Sequence, residues 1–211
     1  MRAVIVSGGN PPSKGLLFSY LKEGDFVIGV DKGCDALYKY KIMPDLILGD
    51  FDSANKDVIE YFILNNVKNL KFNFDKDYTD TDLGFRKAIE NGADEILLFG
   101  ATGTRMDHFL GNLGILLKSL KDNIKMKIID DNNIMYLIDK PARISGENGQ
   151  TISFHAISET VKNLSIKGAR YKLNSYDMSL LEPRAICNEF IDNDIEISFN
   201  SGVILVILPK D

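Results

Sequence analysis

Tryptophan is absent from this 211-residue chain, cysteine occurs only at Cys34 and Cys187, and neither charge sign dominates. Two cysteines in no ligand spacing exclude a disulfide framework and a cysteine-based metal cluster. No apolar run approaches the roughly 18–20 residues of a membrane-spanning helix, and Met1–Val6 runs straight into Ser7-Gly8-Gly9, too short for a secretory core. A net charge of −5 and a pI near 5.1 leave no basic face for a general nucleic-acid binder. The acids form no tail: up to Ile138 there are 17 basic against 20 acidic residues, and beyond it 8 against 10. What is present is an ordinary globular composition, 45% hydrophobic and 26% charged, with no internal repeat or low-complexity segment. The expectation is a cytoplasmic protein of one large or two modest domains, with no membrane or nucleic-acid partner.

Short β-branched runs alternate with amphipathic stretches through the first two thirds. Strands are expected at Ala3–Val6, Phe26–Val30, Leu46–Leu48, Asn69–Phe72, Glu95–Phe99 and Lys125–Ile129. Helices are expected at Ser13–Lys22, Cys34–Tyr40, Lys56–Leu64, Asp80–Asn91 and Met106–Leu120, the last with Leu110, Leu113, Leu117 and Leu120 on one face. Gly92 stands where a left-handed helix cap belongs. This alternation predicts an α/β domain, a mostly parallel sheet with helices on both faces, over residues 1–138. After Asp139-Lys140-Pro141 the rhythm shortens, and residues 139–211 read as a smaller antiparallel β domain. Its strands fall at Thr151–Ala156, Val161–Ile166, Ala185–Phe190, Ile195–Phe199 and Val203–Leu208. Hairpin turns are expected at Asn193-Asp194 and Asn200-Ser201-Gly202, and a short helix around Tyr176–Leu181.

Acids gather at predicted strand ends. Leu46-Ile47-Leu48 leads into Gly49-Asp50-Phe51-Asp52-Ser53, where two carboxylates at i, i+2 can face one way and suit Mg²⁺. A Gly-Asp turn with Ser53 capping the next helix is the structural alternative. Asp75, Asp77, Asp80 and Asp82 crowd eight residues before a helix; Thr79 with Asp82 resembles a capping box, which leaves Asp75 and Asp77 without a structural reason. Gly100-Ala101-Thr102-Gly103-Thr104-Arg105-Met106-Asp107-His108 joins a strand to a helix whose N-terminus can meet phosphate. Arg105 there can brace a polyphosphate, whereas Asp107 can equally serve as a cap beside Thr104, and His108 reads as structural. Ser7-Gly8-Gly9-Asn10 lacks a dinucleotide fingerprint and reads as a plain turn; Asp31-Lys32-Gly33 is either a nucleotide contact or a helix-starting turn. In an open parallel sheet these loops share one edge, which makes a metal–polyphosphate site.

Together these strings resemble the thiamine pyrophosphokinase family: Asp31-Lys32-Gly33, Pro44-Asp45-Leu46-Ile47-Leu48-Gly49-Asp50-Phe51-Asp52-Ser53, Lys76-Asp77-Tyr78-Thr79-Asp80, and Gly100 to His108 with Asn112. The second domain is similar more loosely, through Gly168-Ala169-Arg170-Tyr171-Lys172-Leu173 and Cys187-Asn188-Glu189-Phe190. The resemblance implies transfer of an intact diphosphate from ATP to the hydroxyl of thiamine, with AMP released and Mg²⁺ required. It implies an α/β catalytic domain, a β-sandwich domain, and a homodimer with shared active sites. By position, Asp50, Asp52 and Asp77 would hold Mg²⁺. Asp50, Asp52, Asp80, Arg105 and Asp107 would form the catalytic set, and Asp31, Gly33, Asp77 and Arg105 would lie by ATP. Cys187 and Asn188 would touch thiamine, with Phe190 or Tyr171 supplying any ring stacking. The family usually has Ser where Cys187 stands and Gly where Thr104 stands. Two other classes remain open. Asp50-Phe51-Asp52-Ser53 also resembles the nucleophile motif of haloacid-dehalogenase-like phosphatases, though here two strand–helix units precede it. A non-catalytic thiamine or nucleotide sensor is the other.

Overall fold

The structure is a computed structural model and describes residues 1–72, 78–103 and 105–210. Its compact units are Met1–Asp131 and Asn132–Asp211.

The first unit alternates strictly. Its strands are β1 (Arg2–Val6), β2 (Phe26–Val30), β3 (Leu46–Gly49), β4 (Lys68–Lys71), β5 (Glu95–Phe99) and β6 (Lys125–Ile129). Between them run α1 (Lys14–Tyr20), α2 (Gly33–Tyr40), α3 (Lys56–Leu64), α4 (Asp80–Glu90) and α5 (Met106–Lys121). All neighbouring strand pairs here are parallel, in the spatial order β4-β3-β2-β1-β5-β6. The chain steps outward from β1 to β4, then returns to the other side of β1 with β5. Successive side chains in a strand point to opposite faces, and β1, β2, β3 and β5 are buried over consecutive residues. Both faces are therefore covered, which is why these strands read as continuous apolar runs. Gly84 lets α4 press close: a Cβ there would lie 3.1 Å from Val30 Cγ2 and 3.5 Å from Ile5 Cγ2. Every predicted strand and helix of this unit is present, and Gly92 closes α4 with φ 89°. Two details differ. Asn55, not Ser53, caps α3, accepting from the Asp57 N–H. The buried stripe of α5 is Asn112, Ile115, Leu116 and Ser119, while Leu110 is exposed.

The second unit holds β7 (Asn133–Ile138), β8 (Ala142–Ser145), β9 (Thr151–Ala156), β10 (Thr160–Lys167), β11 (Leu173–Ser179), β12 (Ala185–Glu189), β13 (Asp194–Ser198) and β14 (Ile204–Pro209). Antiparallel strands in the orders β12-β9-β14-β7 and β11-β10-β13-β8 enclose a core of Ile152, Phe154, Leu164, Ile166, Ile195 and Val206, among others. Three expectations fail here. Asn193-Asp194 links β12 to β13, and Asn200–Gly202 links β13 to β14. Each pair belongs to different sheets, so these turns are crossovers and not hairpins. The segment around Tyr176–Leu181 is mostly strand β11, whose Met178 is fully buried. Strand pairing and burial outweighed a weak local helical pattern.

Candidate active site

The carboxyl ends of β1, β2, β3 and β5 lie along one edge, and β1/β5 is where the strand order reverses. Ligands of open parallel sheets bind at such a place. Backbone packing there is tight enough to demand glycine. A Cβ on Gly33 would sit 1.9 Å from the Val6 carbonyl oxygen, one on Gly100 2.2 Å from Ser7 O, and one on Gly9 2.3 Å from Thr102 O. Hydrogen bonds knit the same loops: Gly9 N–H to Gly100 O at 2.8 Å, and Asn10 N–H to Thr102 O at 2.7 Å. Ser7-Gly8-Gly9, read from sequence as a plain turn, thus forms part of this edge. Ser7 and Gly9 line a cleft of about 130 Å³ with Lys32, Gly33, Lys39 and Tyr40. Glycines outside a known fingerprint carried too little signal to show it.

Left-handed backbone marks the acid-bearing ends. Asp31 has φ 45° and Phe51 φ 61°, conformations that non-glycine residues adopt at a cost of about 1–3 kcal/mol and that concentrate at functional sites. Gly49, at φ 143°, leaves room for the Asp31 carboxylate, whose Oδ1 a Cβ there would meet at 1.8 Å. That oxygen accepts from the Phe51 N–H at 3.3 Å. Asp50 Oδ1 accepts from the Asp52 N–H at 3.0 Å. The acids act on one another. Burial, then the neighbouring charges of Asp80 and Asp50, push the Asp31 carboxyl up to about 7. A hydrogen bond with Asp50 raises Asp52 above the usual carboxylate range.

Asp80 opens α4, where the Thr79 hydroxyl accepts from the Asp82 N–H as the capping pattern predicts. The next residue, Thr81, hydrogen-bonds Ser7 through its hydroxyl at 3.1 Å. Asp82 turns to cations, Arg86 at 2.9 Å and Lys118 at 3.1 Å. The sequence offered no sign of that pairing beyond the i, i+4 spacing to Arg86.

At the start of α5, Arg105 holds Asp107 through Nε at 3.2 Å and its terminal nitrogen at 2.6 Å, which draws the Asp107 carboxyl down to about 2. Both side chains are exposed, and Arg105, in the N-cap position of α5, makes no side-chain capping hydrogen bond. Asn112 supports the turn from below, donating to Ala101 O at 2.7 Å. Asp75, Lys76, Asp77 and Thr104 lie outside the described residues.

In the second unit, Cys187 is exposed at a β12 bulge, with φ 52° and its N–H on Ser153 Oγ. Asn188 is 1% exposed. Its Oδ1 accepts from the Tyr171 and Glu189 N–H groups, and its Nδ2 donates to Tyr171 O. Phe190, a sequence candidate for stacking, is completely buried in the sandwich core, whereas the Tyr171 ring is exposed.

The N-terminal part matches the family described as thiamin pyrophosphokinase, catalytic domain, over residues 17–128; residues 138–204 match its vitamin B1 binding domain. A thiamine pyrophosphokinase of Bacillus subtilis (strain 168) is 36% identical over 214 residues, covering 98% of each chain. This chain belongs to the thiamine pyrophosphokinase family. The crystal structure of the Bacillus subtilis enzyme superposes with a TM-score of 0.90 at 35% identity over all of both chains. That of Geobacillus thermodenitrificans gives 0.87 at 29% identity, over 100% of this chain and 98% of its own. Thiamine pyrophosphokinases are diphosphotransferases that use ATP with Mg²⁺. Membership favours that chemistry over a phosphatase reading of Asp50-Phe51-Asp52-Ser53.

Among the described residues, no three His, Cys, Asp or Glu side chains are drawn together as a ready metal cage. The donors nevertheless fit Mg²⁺, which takes one or two carboxylates, substrate phosphates and retained waters. They are hard oxygens; burial and then the neighbouring carboxylates lift Asp31, and the contact with Asp50 lifts Asp52, so a divalent cation would relieve the negative charge these groups carry when ionised. Among the described residues, no helix is long and apolar enough to cross a membrane.

Proposed function

We propose that the chain transfers the diphosphate of ATP to the hydroxyl of thiamine, leaving AMP. The observation that carries this reading is the group of carboxylates Asp31, Asp50, Asp52 and Asp80 at the strand ends beside the topological switch, with Asp31 pushed up to about 7. The hydroxyl oxygen bonds to the β-phosphorus as the bond from that phosphorus to the α-bridging oxygen breaks; AMP carries the bridging oxygen away. Such transfer needs alignment and charge neutralisation more than covalent help. Asp80 shares a hydrogen bond with Asp31, whose carboxyl is pushed up to about 7, and Asp80 is the group we assign to accept the hydroxyl proton. Asp50, Asp52 and Asp77 are the residues we assign to hold Mg²⁺, which would supply charge neutralisation to the phosphates. Arg105, oriented by Asp107, faces the charge that grows on the departing AMP. Asp31 and Gly33 border the nucleotide at the cleft with Lys32 and Lys39.

We assign the thiamine side to Cys187 and Asn188. Asn188 spends its amide on the Tyr171 backbone, so its part is to hold that segment in place beside the exposed Cys187 thiol. The acidic rim attracts the thiazolium cation. We further infer a cytoplasmic homodimer with shared sites. Exposed Tyr171, Leu180, Leu181, Ile186 and Ile191 on the second unit supply apolar surface for a second copy, and ATP is a cytoplasmic substrate. Incubation with thiamine, ATP and Mg²⁺ should yield thiamine diphosphate and AMP in equal amounts. ADP as the nucleotide product, inorganic phosphate without any nucleotide requirement, or binding without turnover would refute the reading.

A further inference from the structure

Ser7, the residue that follows β1, carries a hydroxyl that the site assignment does not use. The residue is 4% exposed, and its backbone is fixed on both sides. Its N–H donates to Phe99 O at 2.8 Å, and a Cβ on Gly100 would lie 2.2 Å from its carbonyl oxygen. The end of the sheet itself thus sets where this side chain starts. Its Oγ lies 3.1 Å from Thr81 Oγ1, and either oxygen can donate in such a pair. Helix α4 decides the direction. A threonine inside a helix commonly returns its proton to a carbonyl three or four residues back, but α4 begins at Asp80, so no helical carbonyl stands behind Thr81. Thr81 therefore donates to Ser7. A hydroxyl has one proton and two lone pairs, so Ser7 keeps its own proton, which meets no second acceptor among the described residues.

That proton borders a cleft. Ser7 lines it with Gly9, Lys32, Gly33, Lys39 and Tyr40. Lys32 packs on the same turn, its Cβ 3.3 Å from where a Cβ on Gly8 would stand. Asp35 is the acid of the lining, and its Oδ1 accepts from the Asn55 N–H at 3.0 Å. Gly33 and Tyr40 are the first and last residues of α2, about 10 Å apart along its axis. Gly33 packs against Ser7, so Tyr40 marks the far end of the cleft. There the Tyr40 hydroxyl donates to Pro12 O at 2.8 Å, which leaves the ring as an apolar wall. The near end is polar and leads through Thr81 to the start of α4, where the acid site lies. We propose that Ser7 is a binding residue for the polyphosphate of ATP: its Oγ–H donates to an oxygen of the diphosphate that is transferred, and Thr81 is the positioning residue that fixes that hydroxyl. The inference rests on the proposed use of ATP and adds two residues to it. A donor to a phosphate oxygen makes a charge-assisted bond, and the lysines of the lining supply cations to the same anion.

The test is the dissociation constant of α,β-methylene-ATP, whose bridging carbon blocks transfer, measured by titration calorimetry with Mg²⁺ beside that of AMP, which lacks the diphosphate. Ser7→Ala should weaken the analogue about tenfold and leave AMP within about twofold, the loss of one hydrogen bond to a charged group. Thr81→Val keeps the side-chain shape without the hydroxyl and should weaken the analogue about three- to fivefold, whereas Thr81→Ser should stay within about twofold. Because Thr81 acts through Ser7, Thr81→Val should add nothing in the Ser7→Ala background; a purely structural tie would add its own loss. Circular dichroism and thermal unfolding of each variant verify that the fold is retained. Analogue affinity of Ser7→Ala within about twofold of the parent would overturn the inference. So would an equal loss for AMP, which would put the hydroxyl beside the nucleoside, or additive losses in the double variant. A parent that binds the analogue but forms no AMP from ATP and thiamine would refute the proposed reaction, while the same affinities still decide the role of Ser7. A parent that binds no nucleotide would overturn both.

Discussion

Replacing Asp31 by Asn should stabilise the metal-free chain at alkaline pH while destroying its activity. Folding buries this carboxyl beside Asp80 and Asp50 and moves it up to about 7. A group whose folded pKa lies above its unfolded value binds its proton more tightly in the folded state. Its penalty is absent below about pH 4, grows as pH rises, and is complete above about pH 7. Unscreened, a displacement from the ordinary carboxylate range to about 7 corresponds to about 4 kcal/mol. Asp31 keeps part of its surface exposed, and solvent screening reduces this to about 1–2 kcal/mol. Asn is isosteric, does not ionise, and retains an oxygen to accept from the Phe51 N–H. For a chain of this size the gain is about 2–8 °C in unfolding temperature. Thermal unfolding in EDTA at pH 5 and pH 8 measures it: the variant's advantage should be large at pH 8 and small at pH 5. Added Mg²⁺ with ATP should close the gap at pH 8 by stabilising the parent. An advantage equal at both pH values, or a variant less stable than the parent at pH 8, would refute the electrostatic account.

Other outcomes follow from the same geometry. Asp50→Asn should lower AMP formation by at least about a thousandfold with an unchanged circular dichroism spectrum, as expected when a central charge-stabilising group is lost; near-normal turnover would remove Asp50 from the site. Cys187→Ser should lower the KM for thiamine about two- to tenfold, because a hydroxyl is a stronger hydrogen-bonding group than a thiol; competition assays with a thiamine analogue check it. Asn188→Ala should cost about 1–3 kcal/mol in denaturant unfolding, since it removes the partner of the part-buried N–H and C=O groups of Tyr171. A stability unchanged by that substitution would mean the clamp is dispensable.

Much of the first unit was legible because its strands are buried on both faces and its helices carry an apolar stripe, so each element announces itself locally. The acid strings were legible for a related reason: a carboxylate that caps nothing stands out against ordinary turn chemistry. The second unit was read less well. A turn such as Asn200-Ser201-Gly202 looks the same whether it returns the chain to the same sheet or carries it across to the other, and only the packing of two sheets distinguishes the cases. Asn133–Ile138 and Ala142–Ser145 were missed as strands, being partly exposed runs with little alternation to mark them. Phe190 carried no label as core rather than contact until the sandwich closed over it.

The lacks noted at the outset, few cysteines and no dominant charge, excluded by sequence alone a disulfide framework, a cysteine-based metal cluster and a general nucleic-acid face. The motif order pointed to one family, because each motif sits at the end of its own strand. Which acids are crowded and which are neutralised was decided only by the tertiary structure. Asp82 and Asp80 are two residues apart and chemically identical; one meets Arg86 and Lys118, and the other meets Asp31. A charge is defined by its neighbours in space, and those neighbours come from the end of β2, from α4 and from α5, whose positions relative to one another no local pattern of residues encodes.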